Sequence, residues 1–149
     1  MVLLKRSPKK ILQEILPETE DEGLSDLMEA LMDTEMDIEL VQPPEAGLMM
    51  MTIRDCFEIP FYLGEVLVTR AEVRIEDAVG YGCCMGDRPR AALALAILEA
   101  LQEISGELPS SSPVMTRLTA LAETVSDRRE KASRLTALTR VEFQSMAEE

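Results

Sequence analysis

The run AALALAILEAL from Ala91 to Leu101 constrains this chain more than any other stretch. Ala91, Ala92, Leu93, Ala94, Leu95, Ala96, Ile97, Leu98, Ala100 and Leu101 leave only Arg90, Glu99, Gln102 and Glu103 as polar breaks. A helix apolar around most of its circumference requires cover on most sides. Asp87 is a candidate cap, Pro89 has the φ that a first helical turn needs, and Gly106 is the expected stop. The helix is too short, and too charged at its ends, to span a membrane. Its cover must come from a sheet on one side and, elsewhere, from helices of this chain or from another protein. Burial within the chain is the simpler reading.

The sheet is announced immediately upstream. Val66 and Val68, then Ala71, Val73 and Ile75, alternate with Glu65, Thr69, Glu72, Arg74 and Glu76, with one phase slip near Arg70. A period of two rich in β-branched residues predicts a half-buried strand, and the slip predicts a bulge in it. Glu76 to Val79 turn the chain, and Gly80 to Met85 read as the returning antiparallel strand.

Farther upstream, Ser7-Pro8 starts a helix carrying Ile11, Leu12, Ile15 and Leu16, which ends at Pro17 and the acidic ETEDEG stretch. Leu24, Leu27, Met28, Leu31 and Met32 mark a second helix beginning near Gly23 or Ser25. Ile38, Leu40 and Gln42 form a short strand ended by Pro43 and Pro44, and Gly47 to Arg54 form another. Pro60 argues for an edge or loop before the Gly64 strand. Beyond the buried helix, Ser112 and Pro113 open a helix that reaches about Leu138, with a break near Ser126 as the alternative, and TRVEFQSM reads as extended. The expected fold is α+β: a four-stranded antiparallel sheet with helices packed mainly on one face. One domain of 149 residues divides into an acidic helical arm (1–35), the sheet (36–86), helices (87–138) and an extended carboxy-terminal segment (139–149).

Charge bounds the partners. The formal net charge is −13, and no Lys or Arg occurs between Lys10 and Arg54. Such a surface repels a phosphate backbone, so nucleic acid is not an expected partner; a basic protein suits it, and a solvated acidic face is the plainer alternative. With no signal peptide and no apolar run of spanning length, the chain is expected to be soluble and cytoplasmic. Cys56, Cys83 and Cys84 are an odd number without chelating spacing and read as reduced core thiols.

The sequence contains no His, which removes the commonest general base and metal ligand and any Ser-His or Cys-His nucleophile. No metal site is expected. Gly86, with Arg88 and Arg90 in the first turn of the apolar helix, offers free amides, a positive dipole end and two guanidiniums, a candidate phosphate or nucleotide contact. The pattern fits neither the dinucleotide fingerprint nor the Walker A loop, and glycines in a hairpin more often serve the backbone. Arg70 and Arg74 are read as cross-strand ion-pair residues.

Several blocks together carry a resemblance: EAGL at Glu45 to Leu48, FYLGEVLVTRAEVRI at Phe61 to Ile75, GYG at Gly80 to Gly82, the alanine-rich helix, and TRVEFQSM at Thr139 to Met146. In these the sequence resembles the G subunit of the bacterial carbon-phosphorus lyase core complex. The resemblance implies a cytoplasmic assembly with H, I and J subunits that breaks down phosphonates. There the I subunit, supported by G, H and an ATPase-like L subunit, displaces adenine from MgATP with a phosphonate, giving α-D-ribose 1-methylphosphonate 5-triphosphate in the case of methylphosphonate. After pyrophosphate removal, the J subunit cleaves the carbon-phosphorus bond with S-adenosylmethionine and an iron-sulfur cluster. MgATP would be a substrate of the complex, the J subunit would hold the cluster and S-adenosylmethionine, and this chain alone would bind no cofactor and have no activity. The resemblance brings no catalytic residue to this chain. The acidic ETEDE run and Cys83-Cys84 depart from the family pattern. Leu95, Leu98, Arg140 and Phe143 are the candidate partner contacts. Two rivals remain: Arg88 and Arg90 contributing to a shared nucleotide site, and a free-standing acidic adaptor module.

Overall fold

The computed structural model describes residues 8–33, 36–106 and 112–140. Helix α1 (Pro8–Ile15) passes through a short 3-10 turn (Leu16–Glu18) to α2 (Asp21–Met32). Three strands follow, β1 (Ile38–Arg54), β2 (Pro60–Ile75) and β3 (Ala78–Met85), then α3 (Pro89–Ser105) and α4 (Pro113–Leu138). The sheet is an antiparallel meander in the order β1-β2-β3.

Three strands, not four, is a correction to the sequence reading. The two short strands expected on either side of Pro43-Pro44 are one strand, β1. Its pairing with β2 steps from Leu40↔Val73 to Gln42↔Glu72 and then to Glu45↔Arg70, so β1 carries one extra residue at each step. At bulges on an edge strand, a proline lacks only an amide that the ladder does not use. β2 likewise begins at Pro60, opposite Arg54, and the loop between the two strands is only Asp55 to Ile59.

The bulge expected near Arg70 belongs to the partner strand. Pairing of β2 with β3 is unbroken from Val68↔Met85 to Ile75↔Ala78. Thr69, only 1% exposed, shares the inward face with Ala71, Val73 and Ile75, so the strand itself alternates without a break there, and the apolar pattern slips because buried Val68 lies on the opposite face. A two-residue turn, Glu76-Asp77, closes this hairpin, with Glu76 in the left-handed region at φ 53°.

Helix α3 lies on the inner face of β3 and β2, α2 packs on α3, and α4 packs on α2. The approach of α3 to β3 is unusually close. A Cβ at Gly80 would overlap the Ala96 carbonyl, and one at Gly82 the Ala92 carbonyl. The two glycines and Ala92, Ala96 and Ala100 are thus two sides of one backbone-to-backbone contact. Glu99 completes it by accepting the Tyr81 amide proton at 2.8 Å. On its other side α3 meets Leu16, Leu24, Leu27 and Leu31, all fully buried. Each such leucine contributes about 1.5–3 kcal/mol of burial free energy.

The outermost helix is a single helix, without a break at Ser126. Ser112 caps it, its side chain accepting from the Met115 amide at 3.1 Å. Val114, Leu118 and Val125 are buried, whereas Leu135 and Leu138 are exposed. Arginines on α4 answer the acidic run: Arg129 pairs with Glu18 at 2.7 Å and Glu14 at 3.8 Å, Arg128 with Glu20 at 2.8 Å, and Arg117 with Asp26 at 3.7 Å. The Arg129 hydrogen bond holds the Glu18 carboxyl below its ordinary range.

Candidate functional site

The start of α3 gathers the residues that the sequence marks for phosphate. Gly86 takes φ 86°, which turns the chain out of β3, and its amide donates to the Leu67 carbonyl at 2.8 Å. Its carbonyl accepts from the Thr69 hydroxyl at 2.6 Å, and the same hydroxyl accepts from the Arg88 amide at 2.9 Å. Arg88, rather than Asp87, is the cap residue of α3. Its guanidinium donates to the Thr19 carbonyl, and so ties the start of α3 to the link between α1 and α2.

An open groove of about 500 Å³ lies at this junction, lined by Glu20, Asp21, Asp87, Arg88 and Arg90 among others. Arg88 and Arg90 both line the groove, whereas Gly86 is not part of its lining, and the amino ends of α2 and α3 both face it. Three carboxylates share it with the two guanidiniums. Glu20 and Asp21 sit where they offset the positive end of α2, and Asp87 is beside that of α3. An anion entering here meets compensated charge rather than a bare cationic cradle.

The remaining candidates are dispersed. Leu95 and Leu98 are buried, 6% and 0% exposed, under this chain's own strands and helices. Arg140 is exposed just beyond α4, and Phe143 lies outside the described residues, as does most of the expected extended segment. Arg74 forms the cross-strand pair expected of it, with Glu39 at 2.8 Å.

The cysteines differ from the expectation of three core thiols. Cys84 is buried, its thiol pushed up by burial and donating to the Arg88 carbonyl at 3.7 Å, but Cys56 and Cys83 are exposed. No group of three or more His, Cys, Asp or Glu side chains placed to hold a metal ion occurs among the described residues. No helix among them is long and apolar enough to cross a membrane.

One feature escaped the sequence reading. Beyond the β3 pairing, β1 and β2 continue together as a two-stranded arm carrying exposed Leu48, Met49, Met50, Phe57, Ile59, Tyr62 and Leu63. The signal was present in the consecutive apolar run Leu48 to Met51, which gives a strand no polar face.

The sequence profile described as "Phosphonate metabolism protein PhnG" matches residues 7–148. The chain belongs to the PhnG family. No curated protein matches it. As a PhnG family member it takes part in phosphonate metabolism, and the profile spans the arm, the α3 junction and α4 alike.

Proposed function

We propose that this chain is the G-type subunit of a carbon-phosphorus lyase core complex. In it the chain supports the ATP-dependent formation of α-D-ribose 1-methylphosphonate 5-triphosphate, in which a phosphonate displaces adenine from MgATP. The family match over residues 7–148 carries this reading. Two physical features support it. The sequence has no His and its described residues hold no metal-ligand cluster, so the chemistry is assigned to partner subunits of the H, I and J types. The exposed apolar side chains of the β1–β2 arm are of the kind that obligate subunits cover with one another.

Size-exclusion chromatography with light scattering tests the reading directly, on the chain alone and then co-expressed with H-, I- and J-type subunits. Entry into one stable complex is expected, along with loss of the ribose triphosphate product when this chain is omitted. A compact monomer that ignores those proteins would overturn it. Replacing Arg88 and Arg90 by Ala asks separately whether the α3 junction serves a shared nucleotide site: a raised MgATP requirement with an intact complex is the result that such a site demands.

A further inference from the structure

The β1–β2 arm is a hydrogen-bonded ribbon with a closed tip. At its tip the Asp55 carboxylate accepts from the amides of Phe57 and Ile59, both at 2.9 Å, and the Asp55 and Ile59 backbones close the loop at 3.2 Å. Glu58 is held there at φ 61°. Lower down, the pairing skips from Met51↔Gly64 to Thr52↔Tyr62, which leaves Leu63 as an extra residue and bends the ribbon. A two-stranded ribbon is marginal by itself in water.

Its side chains are apolar on both faces. Phe57 is 79% exposed, Tyr62 75% and Leu63 58%, with Leu48, Met50 and Ile59 also open. These six leave roughly 800 Å² of side chain in water, about what one partner contributes to a standard protein interface. Methionine and aromatic anchors of this kind adapt to a groove and fill it. The rim is acidic: over residues 48–67 the charges are Asp55, Glu58 and Glu65 against Arg54, which pairs with Glu58 at 3.4 Å, three acids to one base. Two such arms would repel each other, and a chain of net charge −13 adds to that repulsion.

We infer that the β1–β2 arm is the docking element of this chain, and that it inserts into an apolar groove rimmed by Lys or Arg on another protein of the assembly. This rests on the subunit reading above and adds the surface and the chemistry of the partner. The test uses the full chain assembled with the H-, I- and J-type subunits. Cys56, exposed at the tip, is a native probe: its alkylation by N-ethylmaleimide slows by about tenfold or more on assembly, because the arm is then covered. A variant carrying Tyr62→Lys and Leu63→Lys, both at exposed positions, melts as the wild type does alone but binds the complex about tenfold or more weakly, and added salt weakens wild-type binding. Unchanged Cys56 reactivity in the complex, or a variant that assembles normally, overturns the docking role and leaves the subunit reading standing. A homodimer that the double substitution dissolves assigns the arm to a second copy and overturns the basic partner. A chain that joins none of these subunits removes both readings.

Discussion

Gly82 and Thr69 show how single residues set the spacing of the molecule. The Cβ that Gly82→Ala adds meets the Ala92 backbone, which cannot move without lifting α3 from β3. The expected cost is about 3 kcal/mol, the upper end of overpacking penalties, read as a large drop in the urea midpoint. Thr69→Val is nearly isosteric but leaves the Gly86 carbonyl and the Arg88 amide without the hydroxyl that joins them. A loss of about 1–3 kcal/mol in denaturant unfolding checks this, and an unchanged midpoint would show that water replaces the bond. The sequence offered Gly82 as a hairpin glycine and Thr69 as a polar break. That the glycine admits a helix backbone, and that the threonine faces inward, depends on what lies across the interface from each.

At the scale of elements, α4 is the helix least committed to the core. It buries Val114, Leu118 and Val125, and its middle is tied to the amino-terminal helices by Arg128 and Arg129. The Arg129 hydrogen bond and charge lower the Glu18 carboxyl from its ordinary value of 4.5. A group lowered in the folded state adds stability above its unfolded value and loses it as pH falls through the folded one. Arg129→Gln is therefore expected to cost under about 1 kcal/mol at neutral pH, because the pair is exposed and screened. Its difference from wild type should shrink as pH drops below about 4.5. Melting curves across that window check the sign; a difference that grows on acidification contradicts the pairing. The helices themselves were legible from their apolar spacing and from Pro8, Ser112-Pro113 and Gly106. The count of strands was not, since Pro43-Pro44 end a strand in isolation but fit bulges on an edge.

Taken whole, the molecule has a dense half and an open half. The β2–β3 hairpin, α3 and α2 make one buried cluster, while among the described residues no third strand pairs with the arm, whose large apolar side chains are exposed. Hydrogen exchange should divide the same strands in two. Amides paired between β2 and β3 over residues 68–85 are expected to exchange through global unfolding, and those of residues 48–53 and 60–67 much faster in the free chain. On assembly the second set alone should slow markedly, and uniform protection in the free chain would contradict this division.

The sequence by itself determined the family, the α3 helix with its bounds, the hairpin of β2 and β3, and the want of a histidine-based site. Those rest on local spacing and on residue chemistry, which need no partner to be read. Tertiary structure decided the rest: that β1 is one strand, that Leu95 and Leu98 face this chain's own core, that Arg88 clasps the Thr19 carbonyl, and that the arm stands clear of the body. Each depends on which surfaces meet at long range, and the free energy of burial acts on those meetings rather than on the pattern of any one segment.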